Sequence, residues 1–143
     1  MADFNKAFEK LAKKEGGYSN HPNDKGGETY MGICRKYYPN LNLWRVVDSY
    51  KNTVTIAQLN TRLKNDISIE NEVKRVYKKN YWDVLYLDEL DGQRIANMVF
   101  EDAVNRGITA AIKTLQNVLK VKVTGRMSKS LLKDIKNYGK SIK

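Results

Sequence analysis

In six segments of this chain, apolar residues return at the spacing of an α-helix, and that recurrence restricts the fold more than any other feature. Phe4, Ala7, Phe8, Leu11 and Ala12 stand at i, i+3, i+4, i+7 and i+8, behind an Asp3 placed to cap the first turn. Thr55 and Gln58 form a capping box ahead of Ile56, Leu59 and Leu63. Ile69, Val73, Val76 and Tyr77 mark a third helix, and Ile95, Met98, Val99 and Ala103 a fourth that stops near Gly107. Ala111, Ile112, Leu115, Val118 and Leu119 give a fifth. Ser128 caps a sixth through Leu131, Leu132 and Ile135, ending at Gly139. The predicted class is all-α, with about six helices and at most a minimal hairpin.

Between the first two helices lie the turn formers. Gly16 and Gly17 are the stop of helix 1, and residues 18–29 read as a loop around His21-Pro22-Asn23-Asp24 and Gly26-Gly27. Thr29 to Tyr38 fits either a short helix ending before Pro39 or a small hairpin. Tyr77, Met98 and Phe100, on helical spacing, are expected in the core. Residues 1–91 are read as one region and 92–143 as a second helical region packed on it.

Composition removes several classes of chemistry. Cys34 is the single cysteine and a candidate core filler, so the fold rests on packing without an intramolecular disulfide. His21 is the single histidine, which argues against multi-histidine zinc sites; no metal or cofactor is expected. A nucleophilic triad would have to use His21, and neither Ser19 nor Cys34 sits in a Gly-x-Ser-x-Gly elbow. Hydrolytic chemistry here should therefore run on carboxylates. No apolar run is long enough to span a bilayer, and the N-terminus carries no signal-like stretch, so synthesis in the cytoplasm is expected. The net charge of +10 implies attraction to a polyanion, whether nucleic acid, membrane or wall polymer, although lysines also cover solvated helix faces.

One carboxylate is out of place. Glu15 lies eleven residues after Phe4, within about 20° of three whole helical turns, and so falls on the apolar stripe. It also sits at the helix C-terminus, whose dipole disfavours a negative charge. Burial and dipole both raise a carboxyl pKa, which is what a proton donor to a glycosidic oxygen requires. Position alone equally admits a frayed end where Glu15 reaches water beside Lys13 and Lys14.

The residues that follow add a family. The nineteen-residue run Glu15-Gly16-Gly17-Tyr18-Ser19-Asn20-His21-Pro22-Asn23-Asp24-Lys25-Gly26-Gly27-Glu28-Thr29-Tyr30-Met31-Gly32-Ile33 closely resembles the glycoside hydrolase family 108 N-acetylmuramidases, which include phage endolysins and secretion-associated muramidases. Tyr81-Trp82-Asp83 and the pattern Phe100, Asp102, Val104, Asn105, Gly107 are similar to that family's later landmarks. Residues 108–135, with Leu115-Gln116, Leu119, Val123-Thr124-Gly125 and Ser128, resemble its helical peptidoglycan-binding region. The resemblance implies a lysozyme-like fold, Glu15 as catalytic glutamate, and the β-1,4 bond between N-acetylmuramic acid and N-acetylglucosamine as substrate. The 1–91 region would then be catalytic and 92–143 wall-binding. Peptidoglycan strands are the expected partner, reached through a holin or secretion system, with the chain acting as a monomer at the cell wall, in the periplasm or outside.

Asp24 follows Glu15 by nine residues and Tyr30 by fifteen, similar to the Glu, Asp and Thr spacing of phage lysozymes, which makes Asp24 the candidate second carboxylate; Asn23-Asp24-Lys25-Gly26 is also a good turn. Tyr30 stands where that pattern has Thr, and Thr29 is the neighbouring hydroxyl. Tyr18, Asn20, Glu28, Tyr81 and Trp82 are candidate sugar contacts, since pyranose faces stack on aromatic rings and sugar hydroxyls need polar partners. Each has a core alternative. Rival readings are a lytic transglycosylase closing a 1,6-anhydro ring, an inactive wall binder, and a DNA-binding helix-turn-helix over Thr109 to Asn137 with its lysines on phosphate. Nucleic acid is not the expected partner, because that reading leaves residues 15–33 unexplained.

Overall fold

The computed structural model describes residues 1–20 and 27–141. Asp24 and His21 lie outside the described residues. The chain forms two compact units, Met1–Leu11 with Tyr77–Lys143, and Ala12–Val76. Position 91, where the sequence suggests a change of role, falls inside the first unit. Among the described residues there are seven α-helices and one three-stranded antiparallel sheet, a mostly helical arrangement consistent with a lysozyme-like fold. No helix in them is long and apolar enough to cross a membrane.

In the first unit, helix α1 (Phe4–Lys14, shared with the second unit after Leu11) buries Phe4, Ala7, Phe8 and Leu11, as its stripe requires. Its start is held twice. The Asp3 carboxylate accepts the Asn5 N–H at 2.8 Å. The Asp3 N–H donates to Gln93 Oε1 at 2.7 Å, while Gln93 Nε2 donates back to the Asp3 carbonyl at 2.9 Å. Phe4, Trp82 and Phe100 meet edge to face with centroids 5.5 to 5.7 Å apart, and Phe8 and Tyr77 extend the cluster. Trp82 closes a π-helical turn (Lys78–Trp82) and is fully buried, its Nε1 donating to Asp88 at 2.7 Å.

The later helices of this unit are α5 (Gln93–Arg106), α6 (Ile108–Val118) and α7 (Lys129–Ser141). Buried Gln116 on α6 accepts the N–H groups of Thr124 and Gly125 at 2.9 and 3.0 Å and donates to the Thr124 hydroxyl, fixing the turn ahead of α7. Ser128 caps α7 through the Leu131 N–H at 3.0 Å. Three expectations change. Met98 and Val118 are more than half exposed, because each sits at the rim of its helix's apolar face. Gly139 does not end α7, which continues to Ser141.

In the second unit, strands β1 (Ser19–Asn20), β2 (Glu28–Tyr30) and β3 (Ile33–Cys34) pair in the order β1-β2-β3. Thr29 to Tyr38 thus takes the hairpin alternative. Met31 and Gly32 have φ of 48° and 82°, the two positive values a two-residue type I′ turn demands. Within the stretch expected as loop, Ser19–Asn20 form the edge strand β1, and Glu28 and Thr29 begin the central strand β2. Cys34 is half-buried in the edge strand rather than a core filler.

Helices α2 (Asn42–Tyr50), α3 (Ile56–Lys64) and α4 (Ile67–Tyr77, Tyr77 belonging to the first unit) complete the second unit. The Thr55–Gln58 capping box forms in both directions. Helix α2 was not expected. Its N-cap residue, Leu41, has no capping side chain, and Glu72 of α4 instead accepts the N–H groups of Asn42 and Leu43 at 2.9 and 2.7 Å. A cap thirty residues away leaves no local signal.

Candidate active site

Helix α1 closes at Lys14, and Glu15 occupies the bend that follows. Two long-range hydrogen bonds fix the segment on its far side. The Met31 N–H donates to the Gly16 carbonyl at 2.9 Å, tying the loop to the hairpin turn. The Tyr18 N–H donates to Asn60 Oδ1 at 2.7 Å, tying it to α3. Gly17 lies between them, and a Cβ there would run into the Asn60 carboxamide, so the close approach requires glycine. Asn60 is a site residue that the sequence does not announce, since it is one of several polar residues on an amphipathic helix.

Glu15 is half-buried, and among the described residues neither a hydrogen bond nor an ion pair reaches its carboxyl group. Desolvation by burial pushes its pKa above the usual carboxylate range. The expectation drawn from the helical stripe thus agrees with its surroundings in direction, and the cause is burial.

Glu28 is the opposite case. Tyr18 Oη donates to its Oε2 at 2.7 Å, Lys51 Nζ to the same oxygen at 3.0 Å, and Arg35 to Oε1 at 3.0 Å. Arg35 also grips Asp48 through two nitrogens at 2.8 and 2.7 Å. Desolvation alone would raise the Glu28 pKa, but the hydrogen bonds from Tyr18, Lys51 and Arg35 together outweigh it and hold the carboxyl below its ordinary value. The same burial, with the Glu28 hydrogen bond and charge, pushes the Tyr18 hydroxyl well up. This cluster joins the start of β2, the residue before β1, the turn after β3 and the end of α2.

The strand register sorts the remaining candidates. Asn20 pairs with Glu28 and Ser19 with Thr29, so Thr29 points to the face opposite Glu28 and Tyr30. Asn20 is exposed beside Tyr18, to which its side chain hydrogen-bonds. Thr29 is half-buried. Tyr30 is buried, and desolvation first, then the charge of Glu70, raises its pKa, so it serves the core of this unit. Tyr81 and Trp82 belong to the first unit: Tyr81 is half-buried with its ring 5.7 Å from that of Tyr77, while Trp82, at 0% exposure, offers no face to a sugar. For Trp82 the core alternative describes this structure.

No curated protein matches the chain. Among solved structures, Brucella abortus SagA is 27% identical with a TM-score of 0.62, over 94% of this chain and 68% of that one. The family described as Glycosyl hydrolase 108 matches residues 8–107, which take in Glu15, the sheet and helices α2 to α5. Matched over residues 8–107, the chain belongs to the glycosyl hydrolase 108 family and is a glycoside hydrolase that acts on the peptidoglycan of the cell wall.

Proposed function

We propose that the chain is an N-acetylmuramidase that hydrolyses the β-1,4 bond between N-acetylmuramic acid and N-acetylglucosamine, with Glu15 as general acid. The observation that carries this reading is the contrast between two carboxyl groups: Glu15, without a partner among the described residues and raised in pKa by burial, and Glu28, saturated with donors and lowered. Opposed environments assign opposed roles. Glu15 enters the reaction protonated and delivers the proton to the glycosidic oxygen, making the departing sugar a competent leaving group. Glu28 stays ionised, and with both oxygens occupied it braces Tyr18, Lys51 and Arg35 instead of exchanging protons.

Asn20 and Thr29 are the polar groups of the sheet proposed to meet sugar hydroxyls, and Asp24 remains the proposed second carboxylate. Residues 92–143 are proposed to hold the wall, and the chain is proposed to work as a monomer delivered by a holin or secretion system. Digestion of purified peptidoglycan with wild type and Glu15→Gln, followed by mass analysis, tests the chemistry. A muramidase leaves reducing muramic acid ends that vanish in the variant. A 1,6-anhydro end would replace hydrolysis with transglycosylation, and an active Glu15→Gln would remove Glu15 from the mechanism.

A further inference from the structure

Between Asp102 and Asp134 the chain carries no acidic residue, while seven residues there are Lys or Arg. That stretch, 103–133, holds +7 of the net charge of +10 and lies wholly in the first unit. Its centre is the loop that joins α6 to α7. The Val121 N–H donates to the Gln116 carbonyl at 3.0 Å, folding the chain back on the end of α6. The buried Gln116 side chain accepts the next free N–H groups, those of Thr124 and Gly125.

The loop is therefore held from inside by a polar side chain, and its apolar residues are the ones left in water. Residues 120–124 are all exposed. Val121 is 36% and Val123 44% exposed, and Val118, the last residue of α6, is 52% exposed. Lys120, Lys122 and Arg126 are interleaved with these valines and have no ion pair among the described residues. Asp102, at one end of the stretch, is taken by Arg106. Asp134, at the other, lines a cavity of about 650 Å³ together with Lys122, Arg126 and Ser128; it is the one acidic residue there and is half-buried, so positive charge remains in excess. Cations alone suit any polyanion, but a nucleic acid is held through its phosphates and leaves exposed valines in water. A protein partner is usually anchored by Trp, Tyr or Arg, with Val under-represented. A bilayer interface takes both kinds of group, since phosphates attract Lys and Arg while the boundary with the acyl chains buries aliphatic side chains.

We propose that the α6–α7 loop docks the protein on an anionic lipid bilayer, with Val118, Val121 and Val123 entering the headgroup boundary and Lys120, Lys122 and Arg126 pairing with lipid phosphates. Each cation beside such a surface is worth about fivefold in affinity, so three of them with three valines give reversible attachment rather than insertion. The surface recognises lipid, not sugar, and does not depend on the role of Glu15.

The test is co-sedimentation of the full chain with vesicles of three parts phosphatidylcholine to one part phosphatidylglycerol, and with vesicles of phosphatidylcholine alone. Binding is expected to the anionic vesicles and not to the neutral ones, and to weaken as salt rises. Two triple variants separate the contributions. Val118→Ser with Val121→Ser and Val123→Ser keeps every charge and should weaken vesicle binding at least fivefold. Lys120→Asn with Lys122→Gln and Arg126→Gln keeps every valine and should weaken it at least tenfold. All six side chains are exposed, so both variants should fold, and unchanged far-ultraviolet circular dichroism checks this. Equal binding to neutral vesicles, or undiminished vesicle binding by either folded variant, overturns the proposal. Duplex DNA at physiological salt is the comparison polyanion: retention of DNA by wild type, with vesicle binding unchanged in the valine variant, would identify a nucleic-acid face instead. Glu15→Gln should bind vesicles as wild type does, so loss of the catalytic assignment and loss of the docking surface are read independently.

Discussion

Asn60 Oδ1 accepts the Tyr18 N–H at 2.7 Å from a position that a Cβ on Gly17 would need. One carboxamide on α3 thus sets both the residue allowed at 17 and the path of the chain leaving Glu15. Gly17→Ala forces the Asn60 side chain aside and breaks that hydrogen bond, a loss of about 1 to 3 kcal/mol. In an Asn60→Ala background the same change should cost much less, and a double-mutant cycle by urea unfolding measures the difference. Additive effects would mean that the two residues do not communicate.

Glu15→Gln is expected to abolish wall digestion while leaving the fold intact. The sign for stability follows from the raised pKa: the folded chain holds the Glu15 proton more tightly than the unfolded chain does. Wild type and variant should therefore be equally stable below the ordinary carboxylate pKa, with wild type falling behind as pH rises through the raised folded value. Thermal unfolding across that range checks it. Activity of the wild type should decline over the same upper limb, as the acid loses its proton.

Glu28→Gln has the reverse profile. Because the folded pKa is lowered, the Glu28 contribution is complete above the ordinary carboxylate value and is lost as pH falls through the folded one. At neutral pH the variant should lose about 1 to 2 kcal/mol, a figure reduced by the partial exposure of Arg35 and Lys51. The deficit should close in acid. Urea midpoints at neutral and acidic pH provide the measurement, and a constant deficit would assign the loss to packing rather than charge.

Glu72→Ala removes the two hydrogen bonds that start α2. A loss of about 1 kcal/mol is expected, as for a side-chain cap. Hydrogen exchange should localise it, with the first amides of α2 losing protection ahead of those in α3.

Helix existence was written in local pattern. The stripes of α1, α4 and α5 and the Thr55–Gln58 box each act within one or two turns, so those elements are legible before any tertiary contact exists. The partial burial of Glu15 follows the same stripe in direction, although the helix ends at Lys14 and Glu15 occupies the bend after it. Helix α2 was not, because its cap comes from Glu72, and the hairpin was ambiguous because a Met31-Gly32 turn is a weak signal. Tertiary structure alone decided that Glu28 is saturated with donors, that Asn60 sets the loop and that Trp82 is core. Each of these depends on which side chains meet across many residues, and a hydrogen bond or a desolvation is a property of the pair and its surroundings, not of either residue in the chain.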